Sequence, residues 1–279
     1  MAVMDARRST YNIQREAGID KCRLVHYSHP MMMKYSVIVV TGASERIGRA
    51  IAVKAASLGS AVVVHCHTDV GNASETVSLI ERNGGNACMV QADLRTLAGV
   101  EKLAAATLER FGRWDALVNA ASTFLSANIE EVDESRWDAD QALHVKAPFF
   151  LSRSLYRHRK GLGFPTPACV VNVTDTQVRN PTASRPSYYC AKSALEDQVR
   201  VLGKSLAPLV RVNAVAPGAI LPASSADEHY FKRLEAQIPL GKLARSDDVV
   251  DAVIFLLEND SITGQTIVVD GGEHLRYIQ

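Results

Sequence analysis

Residues 41–48 read Thr-Gly-Ala-Ser-Glu-Arg-Ile-Gly, directly between an apolar β-branched run and a segment of helical length. Glycines at such a turn let the backbone bend sharply and come close to a pyrophosphate, and the following helix N-terminus offers free N–H groups and partial positive charge. Any tight strand-to-helix turn can use glycine, so a plain structural turn is the alternative. The position after the first strand of an alternating chain favours nucleotide binding.

Outward from this turn, short β-branched runs alternate with amphipathic segments. The expected strands are 36–40, 61–65, 87–91, 116–118, 169–173, 211–215 and 265–269, and the expected helices are 46–58, 72–83, 99–111, 136–159, 187–207 and 247–258. This alternation predicts an α/β protein: a single-domain Rossmann fold with a doubly wound, seven-stranded parallel sheet and helices on both faces. Residues 219–239 interrupt the pattern and are expected to form a substrate loop with a short helix.

Composition excludes several classes of protein. The 279 residues are enough for one large α/β domain, and the 47% apolar and 22% charged fractions are ordinary for a globular protein. A net charge of +1 gives no electrostatic reason to expect nucleic acid or an anionic membrane as partner. The longest apolar stretches fall far short of the roughly 20 residues that span a bilayer, so no membrane segment is expected.

The cysteines indicate a reducing compartment. They are odd in number, scattered and without a CxxC pair: Cys22, Cys66, Cys88, Cys169 and Cys190. This pattern favours free thiols in a cytoplasmic protein and predicts no metal site.

The first 34 residues differ from the rest. They are polar, with six basic and three acidic side chains, and they lack the apolar core of a secretory signal. They are interpreted as a mobile extension before a reductase domain at 35–279, and Met31, Met32 and Met33 suggest a natural start there. A transit peptide is a weaker alternative, because acidic residues are unusual in one.

The end of the second strand bears on the choice of cofactor. NAD-binding sites place a carboxylate there to hold the ribose hydroxyls. Here the sequence is Val-His-Cys-His-Thr at 64–68, without an acid, and Arg46, His65, His67 and Thr68 offer donors for the 2′-phosphate of NADPH. Asp69 follows shortly after, and the alternative is that the two histidines only cap an exposed strand end.

Tyr188 and Lys192 lie four residues apart on a predicted helix, so their side chains share a face. A nearby ammonium is expected to lower the pKa of the phenol, which makes it a useful proton donor or acceptor. The spacing alone could be accidental on a solvated helix. The pair, however, opens the helix after the fifth strand, and Asp175 lies at that strand's end.

Several motifs occur in the order seen in short-chain dehydrogenases/reductases, which this chain resembles over about residues 35–273. They are the 41–48 turn, Asp93-Leu94, Asn119-Ala120-Ala121, Tyr188 to Lys192, Arg211-Val212-Asn213, Pro217-Gly218 and Asp270-Gly271-Gly272. The resemblance implies a nicotinamide cofactor and a homotetramer. It implies cofactor contacts from Gly42, Ser44, Arg46, Ile47, Gly48, His65, His67, Thr68, Asp93, Leu94, Asn119, Ala120, Ser122, Tyr188, Lys192, Pro217 and Gly218.

A narrower resemblance is to the pteridine reductase and dihydromonapterin reductase branch. Most members of the superfamily carry a serine where this chain has Asp175, and the branch carries aspartate. Arg46, His65-Cys66-His67 and Ser122-Thr123-Phe124 are similar to the branch as well. The resemblance implies catalysis by Asp175, Tyr188 and Lys192 and substrate contacts from Arg46, Ser122, Phe124, Asp175, Tyr188 and Leu221. The alternatives are a core aromatic for Phe124 and a helix N-cap or turn residue for Asp175.

Two positions depart from the family pattern. His144 stands where the family usually has an asparagine that holds a water for a proton relay, and histidine, which titrates near neutrality, is expected to alter the pH dependence. Ala120 replaces the second asparagine of the Asn-Asn-Ala-Gly turn and removes a side-chain hydrogen bond.

The sequence therefore predicts hydride transfer from NADPH to an oxidised pterin or dihydropterin, with Tyr188 as proton donor. One alternative is a general carbonyl or 3-oxoacyl reductase of the same superfamily. Another is a protein that binds NADPH without chemistry, which the presence of both Tyr188 and Lys192 disfavours.

Overall fold

Two short strands come first in the sequence, β1 (Ile13–Glu16) and β2 (Ile19–Cys22), and they pair antiparallel. They belong to a unit, Met1–Met31, that is separate from the unit Met32–Gln279. This computed structural model describes residues 33–275 without 162, 164, 165 and 221–227, together with these two strands. The predicted extension thus contains a hairpin; the rest of it before residue 33 lies outside the described residues, and its mobility stays a prediction.

Seven strands form the main sheet, and the five inner ones are buried almost throughout. The seven strands are β3 (Val37–Thr41), β4 (Ala61–Cys66), β5 (Asn86–Gln91), β6 (Ala116–Asn119), β7 (Ala168–Val173), β8 (Val210–Pro217) and β9 (Thr266–Val269). All neighbours pair parallel, in the order β5-β4-β3-β6-β7-β8-β9. The predicted seven-stranded Rossmann sheet is confirmed.

Helices cover both faces of the sheet. They are α1 (Arg46–Ser57), α2 (Val70–Arg82), α3 (Leu97–Phe111), α4 (Glu134–Gln141), α5 (Ala147–Lys160), α6 (Pro186–Ser205), α7 (Glu228–Glu235) and α8 (Ser246–Glu258). Because side chains alternate along a strand, Ile38 and Val40 pack with α1, α2 and α8, while Val39 packs with α3, α5 and α6. The two apolar layers hold the sheet rigid between them.

The long helix predicted at 136–159 is interrupted. A π-helical turn (Ala142–Lys146) joins α4 to α5, and it carries His144. Such turns insert one extra residue into a helix and occur often at functional sites. Hydrophobic periodicity does not register one added residue, which explains why the sequence predicted a continuous helix. In the predicted loop at 219–239, α7 is the expected short helix.

The strand order reverses between β3 and β6, which places a crevice at their carboxyl ends. Thr41 at the end of β3 pairs in register with Asn119 at the end of β6. The Thr41 hydroxyl oxygen accepts hydrogen bonds from the backbone N–H groups of Ala120 (3.0 Å) and Ala121 (3.1 Å). Thr41 therefore fixes the two strand ends that border the crevice.

A buried carboxylate holds the amino ends of the central strands, at the opposite end from the crevice. Asp115, 1% exposed, accepts hydrogen bonds from the backbone N–H groups of Ser36 (3.1 Å) and Val37 (3.0 Å). It also pairs with the guanidinium groups of Arg159 (2.8 Å) and Arg113 (2.6 Å). Within the described residues, no helix is both long and apolar enough to cross a membrane.

Candidate active site

The glycine turn is closed by contacts that exclude a side chain. Gly42 has a φ of +63°, and a Cβ there would lie 2.6 Å from the Ala121 Cα. A Cβ on Gly48 would lie 2.1 Å from the Gly42 carbonyl oxygen. Glu45, the residue before α1, makes no side-chain capping bond, so the first N–H groups of α1 lack that partner. The turn therefore offers backbone donors and a helix dipole to an anion.

Arg46 begins α1 with a φ of +52°, in the left-handed region that a residue with a side chain seldom adopts. Its side chain is exposed beside the turn. Strained backbone of this kind occurs where the surrounding structure needs it, commonly at functional sites. Here it leaves a guanidinium free to reach the phosphate-binding edge. Ser44 is buried in the same turn, and Ile47 is half-buried.

His65 does not lie where it could bind a cofactor phosphate. Its side chain is 2% exposed: Nδ1 accepts a hydrogen bond from the Gly42 N–H (3.2 Å), and Nε2 lies 3.0 Å from the Ala92 carbonyl oxygen. Burial lowers the pKa of His65 to about 4, so the ring is neutral. The prediction that this side chain contacts the cofactor is wrong; it supports the glycine turn from beneath.

The rest of the β4 end fits the expected choice of cofactor. The side chains of His67 and Thr68 are exposed there. The Asp69 carboxylate accepts from the N–H of Asn72 (3.2 Å) and so caps α2. Asp69 is therefore engaged in helix capping, and the Asp93 carboxylate also lies beside this strand end, with Oδ2 3.7 Å from His67 Nε2.

Of the other expected cofactor residues, two are buried and one is partly exposed. Leu94 and Asn119 are buried, and the Asn119 amide donates to the Asn172 side-chain oxygen (2.8 Å). Asp93 is partly exposed and pairs with Arg95, which lowers its pKa to about 2.

At the other strand ends, Ala120 follows β6, and Pro217 ends β8. Gly218 continues from there and donates its N–H to the Val269 carbonyl oxygen (3.0 Å).

Tyr188 and Asp175 meet directly. The Tyr188 hydroxyl donates a hydrogen bond of 2.8 Å to Asp175 Oδ2, and the other oxygen of Asp175 accepts from the Gln177 N–H, also at 2.8 Å. Asp175 therefore caps a short turn and also bonds the phenol, so its capping bond does not exclude a role beside Tyr188. Burial raises the pKa of the Asp175 carboxyl.

Lys192 lies one helical turn beyond Tyr188 on α6, and it is almost fully buried. Its Nζ donates to the Val173 carbonyl oxygen (2.8 Å) and lies 5.7 Å from the centre of the Tyr188 ring. Burial lowers the pKa of Lys192 to about 8. A phenol, an ammonium and a carboxylate thus converge at the end of β7.

The expected effect of Lys192 on the phenol is not what the structure shows. Burial, and then the neighbouring Asp175 carboxylate, raise the pKa of Tyr188 well above its ordinary value. The sequence predicted a lowered pKa because it considered only the ammonium and ignored the apolar surroundings. The phenol consequently stays protonated at neutral pH, which suits proton donation.

Phe124 lies at the open side of this group rather than in the core. Its ring is 45% exposed, and its centre lies 5.1 Å from the Tyr188 ring in an edge-on contact. The Arg185 guanidinium stacks on it at 3.8 Å and donates hydrogen bonds to the hydroxyls of Ser184 (3.0 Å) and Ser126 (2.9 Å). Arg185 was not predicted from the sequence; its place just before the helix of Tyr188 was the available signal.

His144 is buried behind Tyr188, and it contacts Ser122, which is exposed. His144 is 1% exposed, its Nε2 lies 3.1 Å from Ser122 Oγ, and its ring meets the Tyr188 ring edge-on at 5.3 Å. Burial, followed by the Lys192 charge, lowers the pKa of His144 to about 3. The expectation that this histidine titrates near neutrality is therefore wrong.

Asp140 and Ser187 are buried beside this group, and neither was predicted from the sequence. The Ser187 hydroxyl donates to Asp140 Oδ2 at 2.6 Å. Leu221, the remaining expected substrate residue, lies outside the described residues. Among the residues that are described, no group of three His, Cys, Asp or Glu side chains could hold a metal ion.

Comparison with known proteins identifies the family. The sequence profile described as enoyl-(acyl carrier protein) reductase matches residues 42–274. The chain belongs to the short-chain dehydrogenases/reductases. It is 35% identical to an uncharacterized oxidoreductase of Methylorubrum extorquens over 246 residues, which are 85% of this chain and 96% of the relative.

Two solved structures of short-chain reductases are similar throughout. FolM alternative dihydrofolate reductase 1 from Brucella canis, complexed with NADP, is 35% identical with a TM-score of 0.81, over 90% of this chain and 98% of that one. Landomycin C-6 ketoreductase LanV, with bound NADP and rabelomycin, is 32% identical with a TM-score of 0.76, over 86% and 96%. This short-chain reductase is an NADPH-dependent oxidoreductase, and its exposed donors beside the glycine turn fit that cofactor.

Proposed function

We propose that this short-chain reductase reduces pterins of the dihydrobiopterin, dihydromonapterin or dihydrofolate type to their tetrahydro forms. The observation that carries the proposal is the 2.8 Å hydrogen bond from Tyr188 to Asp175, because most of the superfamily has serine at the position of Asp175. A carboxylate can relay a proton to a ring nitrogen, which a serine hydroxyl does less readily. The similarity to the FolM reductase supports the same substrate class.

The cofactor would be held along the carboxyl ends of β3, β4 and β6. The turn between Gly42 and Gly48 would bind the pyrophosphate, and Arg46, His67 and Thr68 the 2′-phosphate. Lys192 would bind the nicotinamide ribose. When bound, NADPH supplies the hydride.

The protein's own residues manage the proton. The Tyr188 phenol, protonated at neutral pH, would donate to the substrate, and Asp175 beside it would assist that transfer. The charge that appears on the phenolate would be opposed by the buried Lys192 ammonium. These three groups would therefore act as one catalytic unit.

The substrate would lie against Phe124. An exposed aromatic ring can stack on a flat pterin, for about 0.5–1.5 kcal/mol beyond burial. Arg185 on the other face of Phe124 would hold that ring in place. Ser122, Arg46 and Leu221 would contact the substrate as well.

The rival function is that of a general carbonyl or 3-oxoacyl reductase, which the similarity to LanV favours. Loss of NADPH absorbance with dihydrobiopterin, dihydromonapterin, dihydrofolate and an acetoacetyl thioester separates the two. We expect turnover of at least one dihydropterin at a kcat/KM at least tenfold above that for the thioester. Brisk reduction of the thioester alone would reject pterin reduction, and binding of NADPH without any turnover would indicate the non-catalytic alternative.

Asp175→Ser gives a direct test within the chain. Loss of the carboxylate should lower kcat for a dihydropterin by about 10²-fold, the lower end of what general acid–base catalysis contributes. Reduction of a ketone should change little, because serine is the residue that carbonyl reductases use there. Equal loss on both substrates would contradict a pterin-specific role for the carboxylate.

We also propose a cytoplasmic homotetramer. Cys66, Cys88, Cys169 and Cys190 form no disulfide, as expected of a reducing compartment, and family members commonly form tetramers. Light scattering coupled to size exclusion should give four times the 30.3 kDa chain mass. A monomer at micromolar concentration would contradict the assembly while leaving the reductase proposal intact.

A further inference from the structure

His144 contacts three polar groups through its two ring nitrogens. Nδ1 lies 3.1 Å from the Asp140 carbonyl oxygen, and Nε2 lies 3.1 Å from Ser122 Oγ and 3.4 Å from the Thr123 backbone nitrogen. The π-helical turn Ala142–Lys146 holds the ring in this position. The imidazole ring itself is buried, so water does not reach either of its nitrogens.

The neighbours of the ring determine where its hydrogen lies. The Asp140 carbonyl oxygen can only accept, so Nδ1 carries the hydrogen. The Thr123 backbone N–H can only donate, so Nε2 presents its lone pair. The ring is neutral, because its burial opposes protonation. One tautomer therefore satisfies both sides.

This tautomer gives the Ser122 hydroxyl its nearest acceptor, His144 Nε2 at 3.1 Å. The Thr123 carbonyl oxygen lies farther away at 3.4 Å, and the Tyr188 hydroxyl is also within hydrogen-bonding reach. When the single hydrogen points to His144, the Ser122 oxygen has only lone pairs left for a ligand. Asp175 is likewise an acceptor, so the wall beside Tyr188 offers acceptors at two places.

We propose that His144 is a positioning residue that makes Ser122 a hydrogen-bond acceptor, so that the enzyme selects substrates that present an N–H donor. The proposal rests on the proposed function, because the aminopyrimidinone ring of a pterin carries N–H donors and a simple ketone carries none. Selection arises because a ligand that covers the exposed Ser122 hydroxyl displaces water from it, so a ligand without a donor would leave this acceptor unpaired.

The test compares His144→Phe, which keeps a ring and removes both nitrogens, with Ser122→Ala and the double variant. The readout is the Kd of pterin, from quenching of its fluorescence, in the presence of NADP⁺. His144→Phe should raise this Kd about tenfold, the value of one hydrogen bond, and should raise it less than about twofold in the Ser122→Ala background. His144→Gln, whose amide oxygen can accept, should restore most of the affinity.

The matched control ligand is a pterin methylated at N3 and dimethylated at its 2-amino group, which lacks those donors. An equal effect of His144→Phe on both ligands, or an undiminished effect in the Ser122→Ala background, would overturn the proposal. If His144→Phe fails to fold, His144→Leu, which also removes both nitrogens, takes its place in the same comparison. Pterins that bind with the expected pattern but are not reduced would sink the proposed function alone, while no pterin binding to the unmodified enzyme would overturn both.

Discussion

Tyr188 holds its proton through the balance between its neighbours. Both the phenol and the Asp175 carboxyl have raised pKa values, and burial is the largest cause for each. The phenol, whose ordinary pKa is much higher, keeps the hydrogen and donates it to the carboxylate. Across neutral pH the titrating member of the group is consequently Lys192 rather than Tyr188.

This assignment predicts the alkaline limb of the pH profile. Burial lowers the pKa of Lys192 to about 8, so the ammonium is present below that pH and is lost above it. We expect kcat/KM to fall as pH rises through about 8. Lys192→Arg keeps its charge throughout, so its lower activity should stay flat to about pH 10. A limb at the same pH in both enzymes would assign the titration to another group.

Some residues could be predicted from the sequence and others could not. Tyr188, Lys192 and Asp175 were predictable because their spacing along one helix and one strand end fixes their proximity. His65 was misassigned because spacing does not say which way a ring turns. It lies on β4, whose residues Val62 to Cys66 are all buried, and that central position was the overlooked signal.

At the scale of elements, the seven strands of the main sheet were predicted within two residues and the helices nearly as well, because buried β-branched runs and amphipathic periods are local signals. β1 and β2 were not predicted. The π-helical turn could not be predicted, since it depends on how α4 and α5 pack against the site. Arg185 and Asp140 were missed for a related reason: their partners come from distant elements.

The close packing of the turn between β3 and α1 can be tested by adding a side chain to it. In Gly48→Ala the added Cβ would lie 2.1 Å from the Gly42 carbonyl oxygen, so the turn must shift. We expect the free energy of unfolding to fall by about 1–3 kcal/mol and the Kd of NADPH to rise at least about tenfold.

The control for that prediction is Gly71→Ala, in the first turn of α2. A Cβ there meets nothing within 4 Å, so alanine should raise the free energy of unfolding by about 0.5 kcal/mol and leave NADPH binding unchanged. Urea unfolding and fluorescence titration measure the two quantities. Similar behaviour of both variants would mean that the turn is not closed as described.

In the whole molecule, the buried Asp115 ion pairs lie at the amino ends of the central strands, and the candidate active site lies at their carboxyl ends. Asp115→Ala removes the carboxylate that pairs with Arg159 and holds the starts of β3 and β6. Breaking a buried pair in this way should cost about 3–5 kcal/mol in the free energy of unfolding. At a temperature where the variant is folded, its Kd for NADPH should match that of the unmodified enzyme within about twofold. A large change in that Kd would show that the amino ends and the carboxyl ends of the strands are coupled.

The π-helical turn Ala142–Lys146 accommodates one residue more than a continuous α-helix would. A single deletion there would close the turn into ordinary α-helix, while Leu151 and Leu155 would keep their places in the core. His144, which the turn carries, would be displaced from Ser122 and from the Tyr188 ring. The segment would therefore lose one residue and keep its fold, and the damage would fall on the site alone.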